Sequence, residues 1–295
     1  MIIDKLQPLT DVFDWMHQTW ERPGTQRRVA LLILWVYIFA LIGIELNRCR
    51  LLPPALAQHT PLSHFAAIHL AFTLILGLEV MSLIFSISSS ISRSVGKQFE
   101  ILTLILLRNA FKELSALPEP VTVAGNLQPI LYIALSGFGA LCVFACLCVY
   151  MRMVRPQRFI QKPEMRMRYV MSKKLLSLSL FVIFFGFMVR DARMIFLEGA
   201  GHTFFEVIYT VLIFADIALV LIAQRYMPAF QAVFRNSGFV IGTLLMRLAL
   251  SAEQPWDTVV SIVAALYVLG LTWVTNYFLR PTAEETKKAT PRETA

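Results

Sequence analysis

Four charged residues stand where a strongly apolar sequence would be expected to exclude them. Glu79 lies within LILGLEVMSLIF and Asp216 within VLIFADIALVLI, while Arg108 follows ILTLILL and Arg247 follows IGTLLM. A charge at the bilayer centre costs at least ~2.5–3.5 kcal/mol on insertion scales. Such residues are not kept on lipid-facing surfaces, so all four are expected inside a helix bundle or against water. Two acids and two arginines can neutralise one another. Glu79 with Arg108 and Asp216 with Arg247 is the economical pairing, each across adjacent antiparallel helices. Pairing between the two halves of the chain satisfies charge equally well. The chemistry open to this set is passage of a small ion or solute through a polar site in mid-membrane. The structural alternative is two ion pairs that fix helix register, with desolvation offsetting most of the Coulomb attraction.

A second group of residues suits lipid. Between 152 and 174 the chain carries Arg152, Arg155, Arg158, Lys162, Arg166, Arg168, Lys173 and Lys174 against one acid, Glu164. Basic residues near a membrane surface attract anionic headgroups at ~1 kcal/mol each. Arg155, Arg158, Arg166 and Arg168 are the expected lipid-facing cations.

Other reactive residue types do not assemble into a site. His64 and His69 are five apart and share a helix face poorly, there is no HExxH, and no metal ligand set is read. Cys142, Cys146 and Cys148 sit in one apolar run, where a thiol behaves as a small hydrophobe. With Cys49 they give no disulfide framework. No nucleophile elbow, Ser-His-Asp order or phosphate-binding loop is present. The expectation is a protein that is not an enzyme, needs no cofactor and binds no nucleic acid. Ser86, Ser88, Ser89, Ser90, Ser92 and Ser94 interleave with Ile87 and Ile91. Their hydroxyls are expected to bond back to the helix, the alternative being a wet vestibule.

These residues must be positioned by helices in a membrane. Of 295 residues, 57% are hydrophobic and only 16% are charged, against about 25% charged in soluble domains. Mean hydropathy is +0.64. The fold class is all-α, a polytopic membrane helix bundle. Spans are expected at 29–46, 65–87, 129–151, 204–223 and 259–279, each long enough for ~30 Å of hydrocarbon. Three segments are harder to place: 101–117 carries Arg108, Lys112 and Glu113, 175–189 is short, and 239–250 carries Arg247.

Positive charge decides the count. The basic 153–174 loop and Arg27-Arg28 both ask for the cytoplasmic side. An even number of spans must then lie between them, so 101–117 crosses despite its charges. This gives about eight transmembrane helices with both termini cytoplasmic. The competing reading has seven, with 97–115 lying in the interface. Residues 1–26 are charged throughout, so a cleaved signal is not expected. Ile3, Leu6, Val12, Phe13, Met16 and Trp20 recur at helical spacing and predict an amphipathic helix on the cytoplasmic face. An arm packed on other helices is the alternative. Residues 281–295 read as a disordered cytoplasmic tail.

The two membrane units, 27–152 and 175–280, can be laid on each other. Arg27-Arg28, Glu45, His64, Glu79, Arg108 and Gln128-Pro129 correspond to Lys173-Lys174, Asp191, His202, Asp216, Arg247 and Gln254-Pro255. Four spans per unit is even, so the copies share an orientation and a pseudo-twofold axis along the membrane normal. The third and seventh spans are the short, charge-bearing ones, and Gly238 and Gly242 in the seventh tolerate unwinding or close approach. The functional expectation is a small transporter or channel whose site is Glu79, Arg108, Asp216 and Arg247. Its partners are the lipid bilayer, anionic lipids and a small ion or solute, and a homo-oligomer is compatible. A non-catalytic scaffold or sensor working through the basic loop is the alternative. The setting is a cell membrane of the bacterial cytoplasmic type.

Overall fold

The computed structural model describes residues 2–53, 57, 60–114, 127–155, 162–198 and 204–278. Among them nine helices follow in order. They are α1 (Ile2–Glu21), α2 (Pro23–Arg48), α3 (Phe65–Ser86), α4 (Ile91–Leu114), α5 (Leu127–Met153), α6 (Pro163–Glu198), α7 (Phe204–Tyr226), α8 (Phe230–Ser251) and α9 (Trp256–Phe278). Seven of them, α2, α3 and α5 to α9, are long and apolar enough to cross a membrane. The chain is a multi-pass helical membrane protein. The segments that looked short in sequence extend further than their apolar stretches. α6 starts at Pro163, where proline suits a first helical turn, and runs through Arg190 and Asp191 to Glu198. Arg166 and Arg168 therefore stand on a helix rather than in a loop.

Polar contacts sort the helix ends into two sets. At one end, Tyr150 of α5 donates to the Ser92 carbonyl at 2.8 Å, and Arg235 of α8 donates to Ser92 Oγ at 2.6 Å. Asn276 of α9 reaches the Met153 carbonyl at 2.6 Å, and Tyr226 of α7 lies 3.4 Å from Ser172 of α6. This basic end also holds α1. At the far end, His64 meets Glu45 at 2.6 Å, Asn109 donates to Asp257 at 3.0 Å, and Gln254 donates to Ser136 at 3.1 Å. α4 runs from Ser92 at the basic end to Asn109 at the far end, antiparallel to α5.

α4 has the charged ends that keep it below the apolarity of a typical span, yet it lies in the middle of the protein. Its Val95, Phe99, Leu102 and Leu106 are buried with Val143, Tyr150, Phe239 and Val268 in one core cluster. Its Ile101 and Ile105 are buried with Leu76, Val80, Phe184 and Leu212 in another. Protein on several sides replaces lipid, so continuous hydrophobicity is not required of it. α2 is the converse case. It has the most apolar spanning window, and Ile44 is its one buried residue. Leu31, Leu34, Trp35 and Phe39 of α2 face outward, as lipid contact demands.

α4 packs on α8, and α5 packs on α9. Small residues permit the closest approaches. A Cβ on Gly139 would fall 2.3 Å from Thr258 Cγ2, and one on Gly242 would fall 2.4 Å from Val268 Cγ2. On Gly238 it would meet Leu271 at 2.7 Å. α8 is continuous through Gly238 and Gly242, so these glycines serve close packing and not unwinding.

The N-terminal helix packs on other helices through one face. Phe13 is buried and its ring lies 5.8 Å from that of Phe85. Trp20 Nε1 donates to Ser82 Oγ at 3.2 Å, and Lys174 pairs with Asp14 at 2.6 Å. Leu9, Val12 and Trp15 remain exposed on its other face.

Candidate functional site

Asp216 projects from the middle of α7 and Arg247 from α8. Arg247 Nε donates to Asp216 Oδ2 at 2.8 Å and Nη2 donates to Oδ1 at 3.1 Å, a two-pronged guanidinium–carboxylate contact. Such forked pairs are the strong form of charge-assisted hydrogen bonding. Thr243, one turn before Arg247 on the same face of α8, donates to Oδ2 at 3.0 Å. Both charged residues are 2% exposed. Arg247 Nη1 is buried and has no hydrogen-bond partner among the described residues.

Glu79 and Arg108 form a different kind of pair. They lie within electrostatic reach of each other, yet Glu79 Oε2 is buried with no hydrogen-bond partner among the described residues. Both arginines stand seventeen residues after the start of their helices. Asp216 stands ten residues before the end of α7, but Glu79 stands only seven before the end of α3. Three residues are nearly one helical turn, about 4.5 Å along the axis. The two pairs thus differ in the position of the acid along its helix, and the pair in α7 and α8 is the hydrogen-bonded one.

Tyr209 lies near members of both pairs. It lies two turns before Asp216 on α7, is 6% exposed, and is within electrostatic reach of Arg108, Glu79 and Arg247. Three of the four charges thus lie within reach of one phenol. Sequence reasoning overlooked Tyr209 and Thr243. Their signal was spacing, since positions seven and four residues from a buried charge share its helix face.

A second polar cluster occupies the basic end. The α3–α4 turn is made of the serine run, and its hydroxyls bond largely to nearby backbone. Ser86 donates to Leu83 O at 2.8 Å, Ser88 to Phe85 O at 3.0 Å and Ser89 to Ser86 O at 2.7 Å. The turn's carbonyls take other donors. Lys173 Nζ donates to Ser88 O at 2.9 Å and also to Ser89 O, and its ammonium lies 4.9 Å from the Tyr169 ring centroid. Ser177 of α6 donates to Ile84 O. Arg235, on Ser92, stacks over Phe239. Lys173 and Arg235 are buried, at 3% and 7% exposure. In the sequence Lys173 looked like a surface cation; the aromatic residues four positions from each, Tyr169 and Phe239, were the available hint.

Of the basic residues read as lipid-facing, Arg155, Arg166 and Arg168 are exposed, and Arg158 lies outside the described residues, as does His202. Among the described residues no three His, Cys, Asp or Glu side chains gather where a metal ion would be held. Compared with protein-family models, curated proteins and solved structures, the chain has no match.

Proposed function

We propose that this chain is a non-catalytic carrier or channel for a small ion or solute, with Glu79, Arg108 and Tyr209 as its working site. In this reading Asp216 and Arg247 are the closed counterpart that holds α7 and α8 in register. The observation that carries it is the carboxylate oxygen of Glu79, buried without a partner beside an arginine it does not touch. A buried unsatisfied polar group costs about 1–3 kcal/mol, more when charged. Groups left so are found disproportionately where chemistry or binding needs them. The closed pair shows that this architecture can satisfy an acid fully.

The reading includes eight crossings, with α4 as the third. Its support is that α4 contacts both ends of the bundle and spans about 36 Å at 1.5 Å per residue. It also includes duplication of a four-helix unit, for which the packing of α4 on α8 and of α5 on α9 is the support. Both termini and the 153–174 stretch are placed in the cytoplasm, in a bacterial cytoplasmic membrane, with anionic lipid against Arg155, Arg158, Arg166 and Arg168. A scaffold or sensor role is the second reading; the tight closure of Asp216 on Arg247 favours it.

Water access separates the two. Cysteine placed at position 79, with Cys49, Cys142, Cys146 and Cys148 replaced by serine, is expected to react with a charged, membrane-impermeant thiol reagent from an aqueous side. A folded variant that stays unreactive from both sides would remove the transport reading and leave the scaffold.

A further inference from the structure

We propose that the site around Glu79, Arg108 and Tyr209 takes a small monovalent anion together with one proton, the proton on Glu79 and the anion against Arg108. The inference rests on the transport reading and names the substrate class of that site.

The first step is charge balance. Glu79, Arg108, Asp216 and Arg247 sum to zero. An anion entering alone would leave one uncompensated negative charge in the low-dielectric interior, and a proton entering alone would leave one positive charge. Entering together they preserve neutrality, which is the condition for keeping charge at this depth.

The second step assigns the atoms. Asp216 cannot serve as the proton site without breaking its forked contact, since Oδ1 and Oδ2 both accept from Arg247 and Oδ2 also accepts from Thr243. Glu79 Oε2 is buried and unpartnered among the described residues, so it can take a proton without losing a hydrogen bond. Once Glu79 is neutral, the Arg108 guanidinium has lost the counter-charge within its reach, and an anion restores it. Tyr209 supplies a hydroxyl within electrostatic reach of Glu79 and Arg108. Arg247, also within reach of Tyr209 and 2% exposed, has an unused N–H at Nη1. The donors are therefore two guanidinium groups and a phenol, and the single acceptor is the one that becomes protonated. No bond other than the O–H of Glu79 forms, and the proton leaves with the anion on the opposite side.

Titratable and charged groups on the packing elements are few at this depth. α4 presents Arg108 and α7 presents Tyr209. α6 has no charged residue from Leu175 to Val189, and α2 has none from Val29 to Ile44, with Tyr37 its titratable side chain there. α1, with Asp14 and His17, meets α3 only near Ser82 and Phe85. Glu79 is thus the carboxyl available to carry the proton.

The test uses the full chain in phosphatidylcholine–phosphatidylglycerol vesicles with an internal pH dye and an inward nitrate or chloride gradient. Lumen acidification above that of empty vesicles is expected, faster at lower external pH and insensitive to clamping the potential with potassium and valinomycin. Glu79→Gln mimics the protonated acid, so it should keep anion flux, lose at least tenfold in acidification, and become driven by the imposed potential. Arg108→Gln should lose anion flux at least tenfold. If Glu79→Gln does not fold, Tyr209→Phe serves instead: it should weaken apparent anion affinity several-fold and leave the proton-to-anion ratio at one. Anion flux without proton movement in the natural chain, or no flux of either anion, overturns the proposal. When position 79 reacts with the aqueous thiol reagent and no anion-dependent acidification occurs, this inference fails and the transport reading stands. When position 79 is unreactive, both fall.

Discussion

Replacing Asp216 with Asn and Arg247 with Met, singly and together, measures how the closed pair contributes to stability. Removing Asp216 strands a guanidinium that is 2% exposed and already has one unpartnered nitrogen. Removing Arg247 leaves a carboxylate, equally buried, with Thr243 as its remaining donor. Truncating one partner of a buried pair typically costs ~3–5 kcal/mol, because the survivor is an uncompensated charge. Hydrogen bonds to charged groups are worth ~1.5–3 kcal/mol each, and two join these residues, at 2.8 and 3.1 Å. The double variant strands neither charge, so its loss should fall below the sum of the singles by ~2–3 kcal/mol. Reversible denaturant unfolding in mixed micelles gives the three values. The same cycle on Glu79→Gln and Arg108→Gln should show a coupling under ~1 kcal/mol, because no direct hydrogen bond is described between them. Additivity within ~0.5 kcal/mol at Asp216 and Arg247, the behaviour of independent sites, would refute the reasoning. So would equal coupling in the two pairs, since the offset of nearly one turn would then have no energetic consequence.

Gly242→Ala should lower stability by ~1–3 kcal/mol through overpacking against Val268, and Val268→Ala should recover part of it; Gly270→Ala, which meets nothing within 4 Å, is the neutral control in the same melts. Lys173→Met should expose the carbonyls of Ser88 and Ser89 and cost ~1–3 kcal/mol, with faster amide exchange across 86–92 as its local signature. A reporter fused at Ala124 should read as periplasmic and one at Arg155 as cytoplasmic; a cytoplasmic signal at Ala124 would return α4 to a non-crossing helix.

The sequence carried the helical membrane class plainly, because few charges over so many apolar residues leave a chain no other solvent. It also singled out the four intramembrane charges, since each interrupts an apolar run by itself. What it could not convey is which face each helix turns inward. α4 and α2 make the point: the more polar helix is central and the most apolar one peripheral, because hydropathy reports tolerance of lipid and not contact with protein. A charge count across the 27–28 and 152–174 clusters treats α4 as a crossing helix where apolarity alone does not. The difference between the two acid–base pairs was hidden for a related reason. Arg108 follows Glu79 by 29 positions and Arg247 follows Asp216 by 31, which looks like near-identity. The serine run ends α3 sooner after its acid than α7 ends after Asp216, a difference the spacing conceals. A spacing that matches in sequence thus yields one satisfied carboxylate and one left open.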